Sequence, residues 1–328
     1  MTKKVFLTGI TGFLGHHVAQ ALHRQGHEIH ALIRQTQKPD SLKIPFHAVQ
    51  GSLSNCETLV PLLSQMDAVI HLAGKIKAHS PEEFNETNHR GTQNLVHSLL
   101  QASPQPLLFI HVSTIAVLGP DVDGGDFCKR AELCHPVSWY GESKRRGEME
   151  VEALSGKMRT VILRPPVLYG PHDKEMFALF KSIQKGIAPL FSDGKNQISV
   201  CYIEDVANCI VSFLDNAPAQ DEIYCLDDGE IHDWRSLSND LAEVIGKTPR
   251  FISIPPALFK AGAFLSELYA RLSGKAQIFT KNKIKEMEQE SWVCGNEKLS
   301  RTRDWKPQYS FKEGAKITYD FYLKNHWL

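Results

Sequence analysis

Short apolar runs alternate with amphipathic stretches along the first half of the chain. Val5, Phe6 and Leu7 form a run suited to a buried parallel strand. It leads into Thr8-Gly9-Ile10-Thr11-Gly12-Phe13-Leu14-Gly15. From His16 to Gln25 the apolar positions Val18, Ala19 and Leu22 then recur at helical spacing until Gly26. Further strands are expected at Glu28–Ile33, Phe46–Gln50, Ala68–Leu72, Leu107–Val112 and Val161–Leu163. Helices are expected at Asn55–Ser64, Pro81–Gln101 and Ser138–Leu154. Pro81–Gln101 reads as one long helix, with Ser80 as N-cap, Pro81 in the first turn and Glu82-Glu83 complementing the dipole. The alternation predicts an α/β fold, a Rossmann-type doubly wound parallel sheet whose first unit is a right-handed βαβ crossover.

Beyond residue 170 the pattern is less regular. Helices are expected at Met176–Lys185, Glu204–Leu214 and Trp234–Ile245, and strands at Ser199–Tyr202 and Glu222–Leu226. Residues 1–170 are expected to form the dinucleotide-binding domain, with some later segments returning to it. Residues 171–328 are expected to form mainly a smaller C-terminal α/β substrate-binding subdomain. The aromatic-containing stretch Ile254–Ser273 reads as a packed lid or core helix rather than a membrane-surface helix, because its charges are few and not all basic.

Composition narrows the class. The 328 residues are 42% hydrophobic and 23% charged, which suits a globular protein with a substantial core. Zero net charge gives no electrostatic reason to expect nucleic acid or an anionic membrane as partner. Seven scattered cysteines without a CxxC are expected to be reduced thiols, and the protein cytoplasmic. No run approaches the roughly 18 apolar residues of a membrane span. Fifteen histidines include no HExxH, so no metal is expected, and His16-His17 reads as helix surface.

The glycine turn points to a dinucleotide. Gly9 makes a tight turn out of the strand, Gly12 admits a pyrophosphate close to the backbone, and Gly15 lets the helix pack on the strand. Thr11, Phe13 and Leu14 complete the turn, and the N–H groups at the helix start would hold the phosphates. The end of the second strand selects the cofactor. An acid there grips the ribose hydroxyls of NAD, whereas an arginine accommodates the 2′-phosphate of NADP. Here Ile33-Arg34 is followed by no acid until Asp40, so NADP is expected. NAD remains the alternative, with Arg34 stacked on the adenine. After the fourth strand, Leu72, Ala73 and Gly74 are compact enough for the chain to pass close to a cofactor.

Tyr140 and Lys144 stand four residues apart on one face of a predicted helix. A phenol with an ordinary pKa of about 10 is a poor acid–base group, and a nearby ammonium is expected to bring it down. Tyr140 could then give a proton to a carbonyl oxygen or take one from an alcohol. Lys144 could also bond the nicotinamide ribose. Thr114, at the end of the fifth strand, could orient the substrate oxygen.

On these motifs the chain resembles the extended short-chain dehydrogenases/reductases, the group of nucleotide-sugar epimerases and dehydratases, dihydroflavonol reductases and 3β-hydroxysteroid dehydrogenases. TGITGFLG is similar to their TGxxGxxG, and His71-Leu72-Ala73-Gly74 to their fourth-strand signature. Asn88-His89-Arg90-Gly91-Thr92 resembles NVxGT, which implies a supporting role for Asn88 beside the site. VSTIAVLG at Val112–Gly119 resembles VSSxxVYG and places Thr114 at the catalytic Ser/Thr. Tyr140 and Lys144 match the acid–base pair. RPPVLYGP at Arg164–Pro171 implies that Pro165 and Val167 lie beside the nicotinamide. Trp305-Lys306-Pro307 and His326-Trp327-Leu328 resemble the C-terminal end. The resemblance further implies a homodimer formed through the Pro81–Gln101 and YxxxK helices.

Three departures narrow what the resemblance implies. Ile115-Ala116 replaces the acidic pair of sugar dehydratases, Ile198 stands where many epimerases place an arginine, and Gly51-Ser52 replaces Gly-Asp. The favoured expectation is an NAD(P)-dependent oxidoreductase, NADP(H)-preferring, that acts on a carbonyl or secondary alcohol of a fairly apolar small molecule. An NAD-dependent nucleotide-sugar epimerase is the alternative. A non-catalytic dinucleotide-binding regulatory protein is the third.

Overall fold

In the computed structural model residues 1–35, 42–120, 134–273 and 280–328 are described. The strands are β1 (Lys4–Thr8), β2 (Glu28–Ile33), β3 (His47–Gln50), β4 (Ala68–His71), β5 (Leu108–Val112), β6 (Arg159–Arg164), β7 (Val167–Tyr169), β8 (Ile187–Phe191), β9 (Gln197–Ile198), β10 (Val200–Tyr202), β11 (Glu222–Cys225), β12 (His232–Asp233), β13 (Arg250–Ile254) and β14 (Ser291–Trp292). The helices are α1 (Phe13–Arg24), α2 (Val60–Leu63), α3 (Pro81–Asn85), α4 (Gly91–Gln101), α5 (Trp139–Glu152), α6 (Phe177–Gln184), α7 (Ile203–Asp215), α8 (Trp234–Ile245), α9 (Pro256–Ser273), α10 (Lys281–Met287), α11 (Glu297–Arg303) and α12 (Phe311–Lys324).

Seven strands form one parallel sheet in the order β11-β6-β5-β4-β1-β2-β3. Side chains alternate between its faces, so each strand feeds two cores. Val5, Leu7, Ile70 and Ile110 pack on one face against Val18 and Leu22 of α1 and Val206 and Ile210 of α7. Phe6, Val69 and Phe109 pack on the other against Leu95 and Leu99 of α4 and Val151 of α5. Burial on both faces explains why these strands read as nearly unbroken apolar runs. The chain winds outward in both directions from β1 and β4, and a doubly wound sheet opens its ligand crevice at that switch point.

Residues from the second half of the chain return to this sheet as β11 and cover it as α7. The rest build a second core, in which Tyr169, Phe180, Leu237, Phe311 and Tyr322 are buried together. The Trp327 ring stacks on Tyr322 with centroids 5.4 Å apart, which ties the tail to that core.

Several expected elements differ in detail. α1 starts at Phe13, three residues earlier than expected, so the last glycine of the turn lies inside the helix. Asn55–Ser64 resolves into a 3₁₀ turn at Glu57–Leu59 followed by α2. Pro81–Gln101 is not one regular helix, because a π-helical turn at Glu86–Arg90 separates α3 from α4. The extra residue in that turn re-aims Asn88 into the protein interior. His17 is not helix surface. It is buried, and its Nε2 lies 2.9 Å from the Pro171 carbonyl oxygen.

The stretch expected to be a packed lid is helical but lies on the outside. Among its described side chains only Ala263 is buried, whereas Leu265 is 63% and Leu272 81% exposed. α9 touches the molecule through small residues and through Phe259, whose ring lies 4.9 Å from that of Phe191, so its bulky stripe points away. Cys128 and most of the expected 119–136 loop lie outside the described residues. The six described cysteines form no disulfide. Among the described residues no helix is long and apolar enough to cross a membrane.

Candidate functional site

Three strand ends meet at the carboxyl edge of the sheet. After β1 the backbone turns at Gly9 with φ of +80°, and a Cβ there would lie 2.7 Å from the Ala73 nitrogen, on the chain leaving β4. Gly12 N–H donates to the Gly9 carbonyl at 2.9 Å, and a Cβ on Gly15 would collide with that same carbonyl oxygen. α1 therefore starts hard against the turn. Gly12 is its N-cap, no side chain caps it, and its first turn holds no acidic residue. An uncapped helix start with its dipole intact is suited to an anion, so the turn fits the pyrophosphate of a dinucleotide. At the same edge, after β5, Ser113 Oγ is buried with no hydrogen-bond partner among the described residues.

Arg34 is exposed just beyond β2, one strand away from this turn. Gly51 N–H, after β3, donates to the Ile33 carbonyl at 3.1 Å, which sets Ser52 beside the same edge. Ser52 and Ser54 share a hydroxyl hydrogen bond of 2.6 Å.

Behind the strand ends runs a buried chain of hydrogen bonds. Ala73 N–H donates to Thr8 Oγ1 (3.2 Å), and Thr8 Oγ1 lies 2.7 Å from His71 Nδ1. His71 Nε2 lies 3.0 Å from Thr92 Oγ1, which donates to the Asn88 carbonyl at 2.9 Å. One tautomer satisfies every group: Thr8 O–H donates to Nδ1 and Nε2–H donates to Thr92. That imidazole is neutral. Burial, helped by the charge on Lys144, pushes its pKa down to about 3.

Asn88 fastens the loop after β4 to α5. Its Oδ1 accepts from Lys75 N–H (2.7 Å), and its Nδ2 donates to the Lys75 carbonyl and to Ser143 Oγ, both at 2.9 Å. Ser143 in turn donates to the Tyr140 carbonyl at 2.8 Å. An added Cβ on Gly74 would approach Asn88 Oδ1 to 3.4 Å and Lys144 Nζ to 4.0 Å, so these three positions converge.

Ser138 caps α5 by accepting from Gly141 N–H at 3.1 Å, which fixes Tyr140 in the first turn. Tyr140 is half-buried, its ring 6.1 Å from that of Phe84. The expected lowering of the phenol is not what the structure shows. Burial pushes it above its ordinary value, the hydrogen bond with the Thr114 hydroxyl opposes the rise, and Glu286 and Glu175 reinforce it. Lys144 donates to the Val112 carbonyl at 2.7 Å. Burial brings its ammonium down to about 8, against the pull of Glu148. Glu148 and Arg164 form a buried bidentate pair, with distances of 2.9 and 2.7 Å.

The structure thus brings together Gly9, Gly12, Gly15, Ala73, Gly74, Asn88, Thr114, Tyr140 and Lys144. Pro165 joins them, because its carbonyl accepts from Ile115 N–H next to Thr114 at 3.0 Å. Val167 opens β7 close behind, and Phe13, Leu14 and Leu72 are half-buried around the turn, with Thr11 exposed at its tip. Sequence reasoning missed His71, Ser143 and Glu148. Glu148 could have been found as the acid four residues after Lys144, on the same helix face. It also missed α10, whose Asn282 Oδ1 accepts from Trp139 N–H at 2.9 Å. Away from this edge, Glu28, His30 and His47 bring metal-capable atoms within 4.8 Å of one another across β2 and β3.

Comparison with known proteins agrees with this geometry. The model of the NAD dependent epimerase/dehydratase family matches residues 5–226. The chain is 29% identical over 330 residues to the ceramide reductase of Caulobacter vibrioides, covering 99% of this chain and 96% of that one. It is 26% identical over 339 residues to the UDP-glucose 4-epimerase of Vibrio cholerae, covering 99% and 97%. Among solved structures, the UDP-glucose 4-epimerase of Thermotoga maritima superposes with a TM-score of 0.78 at 21% identity, covering 98% and 99%. The chain belongs to the NAD dependent epimerase/dehydratase family and is an NAD(P)-dependent oxidoreductase or epimerase.

Proposed function

We propose that this protein is an NADP(H)-preferring reductase/dehydrogenase acting on a carbonyl or secondary alcohol of a largely apolar molecule. The observation that carries this reading is that the Thr114 hydroxyl, at the end of β5, faces the Tyr140 phenol closely enough to oppose the rise in its pKa, with Lys144 one helical turn further along α5. The dinucleotide would be held at its pyrophosphate by the turn from Gly9 to Gly15, including Thr11, Phe13 and Leu14. Arg34, with Ser52 and Ser54 in place of a carboxylate, suits a 2′-phosphate. Leu72, Ala73, Gly74, Pro165 and Val167 would border the nicotinamide half, and Lys144 would bond its ribose. When bound, the nicotinamide supplies or accepts the hydride.

The chain's own residues do the rest. Thr114 and Tyr140 hydroxyls converge on the substrate oxygen and fix the reacting carbon. A phenol held above its ordinary value keeps its proton at neutral pH, which suits donation to the alkoxide oxygen as a carbonyl is reduced. Asn88 and Ser143 hold the first turn of α5, and so Tyr140, in place. A homodimer through the outer faces of α4 and α5 belongs to the same proposal.

The apolar substrate class draws on the similarity to a ceramide reductase. The epimerase reading draws on the similarity to UDP-glucose 4-epimerase. Against it, Ile198 is 5% exposed inside β9 and offers no cation to a diphosphate. Ile115 and Ala116 after Thr114 are likewise buried and carry no acid for dehydration.

The test is made on the nucleotide. The purified protein is denatured, any released nucleotide identified, and the emptied protein titrated with NADPH and NADH. The expected result is tighter binding of NADPH, with Arg34→Ala weakening NADPH and sparing NADH. Retained NAD with weak NADPH binding would move the assignment to the epimerase. Full physiological output from a Tyr140→Phe protein would support the non-catalytic reading.

A further inference from the structure

At the amino end of the sheet, opposite the edge where the strand ends converge, three side chains gather on one face. Glu28 and His30 stand two residues apart on β2 and so point to the same side. His47 opens β3 and pairs directly with His30 in the parallel register. The two imidazoles stack across the strands, with centroids 4.7 Å apart and ring planes 22° apart. Both turn Nε2 towards one oxygen: His30 Nε2 lies 2.7 Å from Glu28 Oε1, and His47 Nε2 lies 3.6 Å from it. A plain ion pair needs one histidine. The second imidazole, stacked on the first and aimed at the same oxygen, is what an ion pair leaves unexplained.

The arrangement is that of a ligand set. Metal-capable atoms of the three residues all lie within 4.8 Å of one another, the one such group of three among the described residues. Ligand atoms about 2.0–2.2 Å from a tetrahedral ion sit about 3.3–3.6 Å from one another, so small rotations would seat a cation between these three. The side chains of Glu28 and His47 are 35% and 66% exposed, so both can adjust and an ion can enter from solvent. His30, at 14%, is the fixed member. Two imidazole nitrogens and a carboxylate oxygen suit zinc, nickel or copper, whereas calcium and magnesium take oxygen ligands. Water would complete the coordination, as at other sites with three protein ligands. In the short His30–Glu28 contact Nε2–H donates to the carboxylate. A cation takes the place of that proton, and neutral His30 then carries its hydrogen on Nδ1. Lys4 pairs with Glu28 from β1, and its charge already reaches the carboxylate. The cation is therefore held by directional bonds to nitrogen rather than by net charge.

The position of the site indicates what an ion there would do. β3 is an edge strand, and none of its four residues is buried. It pairs with β2 from His30↔His47 at one end to Ile33↔Gln50 at the other, and Gly51 and Ser52 follow. We propose that Glu28, His30 and His47 form a binding site for a divalent transition cation of the zinc class, and that the ion clips edge strand β3 to β2. Nothing in this site depends on which substrate the enzyme takes.

The test strips the full chain with EDTA, removes the chelator and titrates with zinc chloride by equilibrium dialysis, with magnesium chloride as the control. The wild type is expected to bind one more zinc per chain than His47→Ala, and neither is expected to bind magnesium. Zinc at about a hundred times its dissociation constant should raise the melting temperature of the wild type by about 2–4 °C and leave that of the variant in place. It should also slow amide exchange at Ala48–Gln50 in the wild type alone. His47 is exposed, so circular dichroism and melting of His47→Ala without zinc are expected to match the wild type. Glu28→Gln, which keeps the side-chain shape and removes the anionic ligand, is expected to lose the same zinc. Equal zinc binding by the wild type and both variants would overturn the site, since the ion would then sit on other histidines or thiols. A wild type that binds no zinc would overturn it as well. Zinc bound through His47 that leaves exchange at Ala48–Gln50 unchanged would overturn the clip.

Discussion

Lys144 is pulled two ways: burial strips water from its ammonium, and the Glu148 carboxylate one turn along the helix holds the charge in place. Glu148 is also the partner of the buried Arg164 guanidinium. Glu148→Gln would take the carboxylate away from the buried Arg164 guanidinium and leave the Lys144 ammonium less supported. It is expected to cost about 3–5 kcal/mol in urea unfolding, more than the double variant Glu148→Gln/Arg164→Met, which removes the buried guanidinium as well. Tyr140→Phe removes the hydroxyl that faces Thr114 and leaves the ring in place. It should lower kcat by about 10²–10⁴-fold while leaving NADPH affinity nearly unchanged, as read by single-turnover kinetics and fluorescence titration. That Thr114, Tyr140 and Lys144 share one edge of the sheet could be expected from the strand end and from the four-residue spacing on one helix face. The polar chain through His71 could not, because Thr8, His71 and Thr92 come from β1, β4 and α4, and only the fold brings them together.

At the scale of elements, the π-turn at Glu86–Arg90 and α5 form one device. α5 approaches so closely that a Cβ on Gly147 would lie 2.5 Å from the Asn88 carbonyl oxygen. Gly147→Ala should therefore force α5 outward. The expected cost is about 1–3 kcal/mol in thermal unfolding, with a drop in kcat as Ser143 and Tyr140 shift. Nucleotide binding at α1, on the other face of the sheet, should persist. The sheet strands could be read from sequence because burial on both faces makes them unbroken apolar runs. The π-turn could not, because one extra residue in a turn hardly changes the apolar periodicity. Strands of two or three residues such as β9, β12 and β14 are too short for any period to show. For α9 the apolar stripe was visible, but whether protein covers it is a property of the whole fold.

Across the whole molecule, buried acids and histidines set opposing responses to pH. Burial lowers His17 to about 4 and His71 to about 3, so the unfolded chain takes protons below about 6.5 that the folded one refuses. Their contribution is present above that pH and is lost on acidification. Burial raises Asp173 and Asp205 to about 6 and Asp227 to about 7, and their contribution runs the other way, present at low pH and lost as pH rises through those values. Between pH 4 and 6.5 the two slopes oppose, and stability should change little. Asp227→Asn removes the most strongly raised of the three carboxyls, so its melting temperature should fall more steeply than that of the wild type as pH drops from 6.5 to 4.5. The return of α7 and β11 to the first lobe has a consequence of another kind. A fragment of residues 1–170 would bare Val18 and Leu22 of α1 and leave β6 as an unpaired edge. Such a fragment should be found in the insoluble fraction on expression. The nucleotide-binding half is therefore not a portable module: it closes only after the polypeptide has gone out to build part of its neighbour and come back.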